Sequence, residues 1–157
     1  MKKPLNKVHK ILIVDDHPIF CLGMAELINK ATDLVVCGSE STAPKAWDAI
    51  KKHKPDLVIV DISLKESNGI NLVEEIKQEY PDLPALVLSM YDESLYAERA
   101  LVSGARGYIM KQKAIGQVVE AVRKGLAGEV YASQKIKDKE FNRLVSSGKH
   151  DDKSFLN

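Results

Sequence analysis

Five short aliphatic runs limit what this chain can become: KILIV at 10–14, LVVCGS at 34–39, LVIVD at 57–61, ALVLS at 85–89 and GYIM at 107–110. A strand wetted on one face alternates apolar with polar residues, whereas a nearly continuous run suits a strand covered on both faces of a parallel sheet. The segments between the runs carry helical stripes. Phe20, Met24, Leu27 and Ile28 fall at i, i+4, i+7 and i+8; Ile70, Val73, Ile76 and Tyr80 form a second stripe, and Ile115, Val118, Val119, Val122 and Leu126 a third. Proline punctuates the boundaries, with Pro18 in a first helical turn, Pro55 ahead of one strand, and Pro81 and Pro84 ahead of another. Strand–helix alternation with right-handed crossovers predicts a doubly wound α/β sheet with helices on both faces.

Composition removes several classes. No apolar run approaches the ~20 residues of a membrane span, and the basic start MKKPLNKVHK precedes an apolar stretch too short for a signal peptide, so the expected location is cytoplasmic. Lys plus Arg number 23 against 22 Asp plus Glu, leaving a net charge of +1 and no overall field that would mark a nucleic-acid binder. Cys21 and Cys37 lack CxxC spacing and read as small buried hydrophobes. His9, His53 and His150 show no metal-ligand spacing, and no HExxH, GxSxG or Gly-rich phosphate loop occurs. Trp47 reads as a half-buried helix aromatic, and His17 as an exposed or locally hydrogen-bonded ring outside any site.

In doubly wound sheets, ligands sit beyond the carboxyl ends of the strands. That rule selects five residues: Asp15 and Asp16 after the first run, Asp61 at the end of the third, Ser89 at the end of the fourth and Lys111 directly after the fifth. Polar residues commonly end strands, but five at one edge make a site. Like charges 4 Å apart repel by ~1 kcal/mol in water and ~4 kcal/mol near a protein surface, so three carboxylates need a counter-charge. Lys111 and a divalent cation would supply it. Oxygen-only ligation suits Mg²⁺, which takes one or two carboxylates together with phosphate oxygens.

The motifs VDDHP, DLVIVDISL, LVLSM and GARGYIMK, in this order and spacing, closely resemble the receiver domain of two-component response regulators. The stretch LSMYDESLYAERALVSGARGYIMKQ is similar to the NarL/FixJ subfamily, whose receivers carry a LuxR-type helix-turn-helix output domain. The resemblance covers residues 9 to about 128. It implies a flavodoxin-like five-stranded parallel sheet in the order 2-1-3-4-5, and phosphoryl transfer from a sensor histidine kinase to Asp61. It further implies Mg²⁺ held by Asp16, Asp61 and the main-chain carbonyl of Ser63, with Asp15 helping through water. Ser89 would hydrogen-bond the phosphoryl group, Lys111 would pair with its charge, and Tyr108 would turn inward on activation. Such a protein is a regulatory phosphoacceptor rather than an enzyme, although it assists its own phosphorylation and dephosphorylation. Homodimer formation on phosphorylation is a further expectation, and DNA would be reached only through a C-terminal output domain absent from these residues.

Some positions depart from the family's common pattern: Lys65 stands where proline is usual, Met90 where a small residue is usual, and Gln112 in place of proline. The expected organisation is an N-terminal arm at 1–8, a receiver domain at 9–128, and at 129–157 one short helix around Phe141, Leu144 and Val145 followed by a linker. Two other readings fit less well. A haloacid dehalogenase-type phosphohydrolase combines similar groups, but spaces two acids as DxD after the first strand, whereas Asp15 and Asp16 are adjacent. A stand-alone receiver acting as an interaction module would differ only in lacking an output domain.

Overall fold

The computed structural model describes the backbone of residues 7–64 and 67–156, with side chains as far as Ser146. Much of the expected N-terminal arm, and Lys65, lie outside the described residues. Strands and helices alternate: β1 (His9–Val14), α1 (Pro18–Lys30), β2 (Leu34–Glu40), α2 (Ala43–His53), β3 (Leu57–Asp61), α3 (Gly69–Glu79), β4 (Ala85–Ser89), α4 (Glu93–Val102), β5 (Gly107–Met110), α5 (Lys111–Leu126) and α6 (Gln134–Leu156). All strand pairs are parallel, and their order is β2-β1-β3-β4-β5, the flavodoxin-like arrangement expected.

The period of two along each strand divides the core. Leu12, Val14, Val58, Val60 and Val87 pack beneath α2, α3 and α4, while Ile11, Ile13, Ile59, Leu86 and Leu88 pack beneath α1 and α5. Helix starts are chemically marked on the first of these faces. Thr42, Asn68 and Asp92 each accept a hydrogen bond from a backbone N–H in the first turn of α2, α3 and α4.

Three expectations are corrected. Ile115 was assigned to the inward stripe of α5, yet it is 53% exposed, and the buried face runs through Ala114, Val118, Ala121, Val122 and Gly125. The cause is the closeness of α5 to the sheet: a Cβ on Gly125 would lie 2.8 Å from Leu57 Cδ1. Small side chains therefore take the inward positions, and a pattern built on large apolar residues points the wrong way. β2 is an edge strand and only partly buried, with Val35 exposed. The short helix foreseen near Phe141 is instead the 23-residue α6, which begins at Gln134.

Candidate functional site

β1 and β3 lie side by side, with Val14 opposite Val60, so the residues that follow emerge together at the carboxyl edge. Asp15 and Asp61 are fully buried as side chains and Asp16 nearly so. Lys111 reaches them from the first turn of α5, with Nζ 2.8 Å from Asp15 Oδ2 and 3.1 Å from Asp61 Oδ2. A lysine there opposes the helix dipole, and α5 has no side-chain N-cap. Local helix preference is overridden by the three carboxylates facing that helix end. Its ammonium lies over the Phe20 ring, with Nζ 4.7 Å from the centre, and the side chain is 5% exposed.

Asp61 is held from two sides. Its Oδ1 accepts a hydrogen bond from the Ser63 N–H at 3.0 Å, and its Oδ2 accepts one from Lys111. Behind it α3 begins so close that a Cβ on Gly69 would lie 2.1 Å from the Asp61 carbonyl oxygen; glycine is required for that approach. Burial pushes the Asp61 carboxyl above its ordinary range and the charge of Asp15 adds to this, against the Ser63 hydrogen bond and Lys111, which favour the anion.

That shift has a consequence for folding. With the folded-state value above the unfolded one, the buried charge costs nothing below the ordinary carboxyl value near ~4, and its cost grows as pH rises through the folded-state value. In metal-free buffer the unaltered protein should lose thermal stability as pH rises from the ordinary carboxylate range toward neutrality. The Asp61→Asn variant should show a shallower decline, read as melting temperature against pH; parallel curves would contradict the assignment.

Asp15, Asp16, His17 and Asp61 each present one ligand atom, all within 4.8 Å of one another. Asp16 Oδ1 is buried without a hydrogen-bond partner, and Asp15 Oδ2 meets Lys111 as a charge contact rather than an aligned hydrogen bond. Clustered carboxylates with an unpartnered buried oxygen fit a hard divalent cation. The cluster can hold a metal ion. An open cleft bordered by Asp16, Ser39, Glu40 and Lys45 leads to it.

His17 was placed outside the site, and the structure brings it in. Its Nδ1 lies 2.8 Å from Asp15 Oδ1, 3.2 Å from Asp16 Oδ1 and 2.9 Å from Lys111 Nζ, although the side chain is 55% exposed. Its backbone N–H also donates to Asp15 Oδ1, at 2.8 Å. The signal was present in DDHP: Pro18 disfavours helical backbone at His17, and an aspartate two residues earlier can then turn back onto its N–H.

Ser89 ends β4 fully buried, with Oγ accepting the Tyr91 N–H at 2.9 Å. The Tyr108 hydroxyl donates to the Tyr91 carbonyl at 2.8 Å, so one peptide segment serves both side chains. Tyr108 is only 5% exposed, already inward, where an outward ring was expected before activation. Tyr91 has no distinguishing sequence context, because its role is played by backbone atoms. Of the two free thiols, Cys21 is buried as expected, whereas Cys37 is only partly buried.

Fold and site together define a class: doubly wound α/β domains with an acidic, cation-ready pocket and a buried lysine at the carboxyl edge of the sheet. The chain belongs to the response regulator receiver domain family, whose sequence profile matches residues 11–123. It is 31% identical over 144 residues to the transcriptional regulatory protein DegU of Brevibacillus brevis, covering 90% of this chain and 61% of that one. To the oxygen regulatory protein NreC of Staphylococcus epidermidis it is 32% identical over 146 residues, covering 92% and 67%. The chain thus spans about two thirds or less of these relatives' length. Among solved structures, a LuxR-family two-component response regulator from Aurantimonas sp. SI85-9A1 superposes with a TM-score of 0.77 at 29% identity, over 88% of this chain and 99% of that one. The non-phosphorylated receiver domain of RcsB from Escherichia coli, 24% identical, shares the fold with a TM-score of 0.75 over 82% of this chain and all of that one. This is a two-component receiver domain, a regulatory module. Among the described residues no helix is long and apolar enough to cross a membrane.

Proposed function

We propose that Asp61 is the phosphoacceptor, taking a phosphoryl group from the phosphohistidine of a sensor kinase. The observation that carries this is the setting of Asp61: buried at the end of the central strand, gripped by Ser63 N–H and Lys111, and facing Asp15 and Asp16. In the transfer, the phosphorus–nitrogen bond breaks as a phosphorus–oxygen bond forms to the Asp61 carboxylate, and the departing imidazole takes up a proton. The reaction is an in-line displacement through a loose transition state, so positioning and charge neutralisation do most of the catalysis. Lys111 favours the ionised form of Asp61 and then pairs with a phosphoryl oxygen; the Ser89 hydroxyl donates to another. Mg²⁺ held by Asp16, Asp61 and the Ser63 carbonyl, with Asp15 behind it, would neutralise developing charge on the transferred group. Attack of water on the acyl phosphate returns free carboxylate and inorganic phosphate, so the mark is transient.

Residues 9–128 are read as the receiver proper and 129–157 as the connection toward a DNA-binding output domain. The name of the relative DegU, a transcriptional regulatory protein, supports a transcriptional role, and a cytoplasmic location belongs to the same reading. Homodimer formation on phosphorylation belongs to the same reading. The test is intact-mass measurement after incubation with acetyl phosphate. One phosphoryl increment should appear with Mg²⁺ and vanish with EDTA; none with Mg²⁺, or equal uptake with EDTA, would refute the reading.

A further inference from the structure

The acidic cluster contains one donor that oxygen ligation of Mg²⁺ leaves unused. Around His17 Nδ1 lie Asp15 Oδ1 at 2.8 Å, Asp16 Oδ1 at 3.2 Å and Asp61 Oδ2 at 3.6 Å, with Lys111 Nζ at 2.9 Å. A ring nitrogen offers either one proton or one lone pair. A proton there serves one of the three carboxylate oxygens; a lone pair faces all three, with Lys111 as its donor. Asp16 Oδ1 is the atom left without a hydrogen-bond partner, on a side chain only 10% exposed. A buried carboxylate oxygen with no donor is costly, and a cation is the partner that fits it.

The spacing favours one ion shared by the ring and the acids. Donor atoms held about 2.0–2.2 Å from a common ion stand ~3.0 Å apart in an octahedron and ~3.4 Å apart in a tetrahedron. The separations of Nδ1 from the three carboxylate oxygens bracket those values. Mg²⁺ selects oxygen ligands, whereas imidazole suits the later transition ions, which also bind more tightly at a given site. Local backbone holds the ring at the cluster: the His17 N–H donates to Asp15 Oδ1, and Pro18 follows directly. The cleft bordered by Asp16, Ser39 and Lys45 gives an ion a way in.

We propose that His17 Nδ1 is a nitrogen ligand in this cluster, and that the receiver takes a transition ion of the Co²⁺, Ni²⁺ or Zn²⁺ class in preference to Mg²⁺. This rests on the acidic cluster being a cation pocket and is independent of which acid accepts the phosphoryl group. The ion takes up the Nδ1 lone pair and gives Asp16 Oδ1 its partner. It shares Asp16 and Asp61 with Mg²⁺, so the two ions compete, and the supply of the transition ion sets how much of the receiver can hold Mg²⁺.

The test titrates the 157-residue chain, His17→Gln and His17→Ala with Co²⁺ and separately with Mg²⁺ by calorimetry. Both substitutions change a half-exposed side chain and keep the backbone N–H that bonds Asp15, so the fold is retained. Co²⁺ is the probe because hyperfine-shifted imidazole protons in its NMR spectrum report nitrogen ligation directly. The unaltered protein should bind one Co²⁺ more tightly than Mg²⁺ and show that imidazole signal. Loss of an outer partner of a metal ligand costs about 10–100-fold in affinity, so loss of the ligand itself should weaken Co²⁺ by about tenfold or more. Mg²⁺ affinity should stay within about twofold, since its ligands are oxygens. Equal Co²⁺ affinity in all three proteins would place the ion on other groups and overturn the proposal. A parallel loss of Co²⁺ and Mg²⁺ affinity would also overturn it, because His17 would then act by ordering Asp15 rather than by donating nitrogen. If neither ion binds the unaltered protein, the cation pocket itself falls.

Discussion

The Asp61→Asn protein should take up no phosphoryl group from acetyl phosphate under conditions in which the unaltered chain takes up one. The amide keeps the shape and can still accept from the Ser63 N–H, but it carries no charge and is a poor nucleophile. Loss of a covalent nucleophile costs several orders of magnitude in rate, on the order of 10⁴ or more, and here it falls below detection. Asp15 and Asp16 provide the internal control. Both are carboxylates beside Asp61, yet Asp15 is engaged by His17 and Lys111, and Asp16 Oδ1 lies 3.2 Å from His17 Nδ1. Peptide mapping after borohydride trapping should place the group on Asp61 alone. Undiminished uptake by Asp61→Asn would move the acceptor to one of the other two acids.

The second large effect concerns stability. Lys111→Met should lower the melting temperature markedly in EDTA and much less in saturating Mg²⁺. Methionine keeps most of the length of the stem but removes the ammonium that faces Asp15 and Asp61 and sits over Phe20. Removing one partner of a buried ionic cluster leaves the others uncompensated, typically at ~3 kcal/mol or more. For a domain of this size each 1 kcal/mol shifts the melting temperature by ~2–4 °C, so a fall of about 6–12 °C is expected without metal. A divalent cation among the carboxylates replaces the missing positive charge and should restore most of it. An equal fall with and without Mg²⁺ would mean that Lys111 acts through packing, with no cation in the acidic cluster. A small fall in EDTA would mean that the acids take up protons rather than remain charged.

Several features of the site were legible in the residues because they obey periodic or topological rules. ILIV running into Asp15 and Asp16, and LVIV running into Asp61, place acids at or just beyond the ends of adjacent parallel strands, and parallel pairing brings those ends together. Lys111 was legible for the same reason, since it follows β5 directly. His17 was not, because the ring's direction depends on an aspartate turn and on the charge it meets from Lys111, ninety-four residues away. The inward face of α5 was misjudged at Ile115 because distance from the sheet, not hydrophobicity, decides that alanine and glycine face Leu57. The length of α6 escaped as well. Its sequence holds few large apolar residues, and the helix is anchored by Ile136 in a pocket made by α4 and Tyr108.

The sequence by itself therefore determined the five parallel strands, the two-layered helical cover, and the edge at which Asp15, Asp16, Asp61, Ser89 and Lys111 meet. The reason is that strand periodicity and crossover handedness are local rules with global consequences. Only the tertiary structure decided how His17 enters the acid cluster, why Tyr108 is already inward with its hydroxyl on Tyr91, and where segment 131–143 rests. Each of these depends on backbone carbonyls and N–H groups brought together from distant segments. Such groups occur at every residue and leave no mark in side-chain pattern, so only their positions in space reveal them.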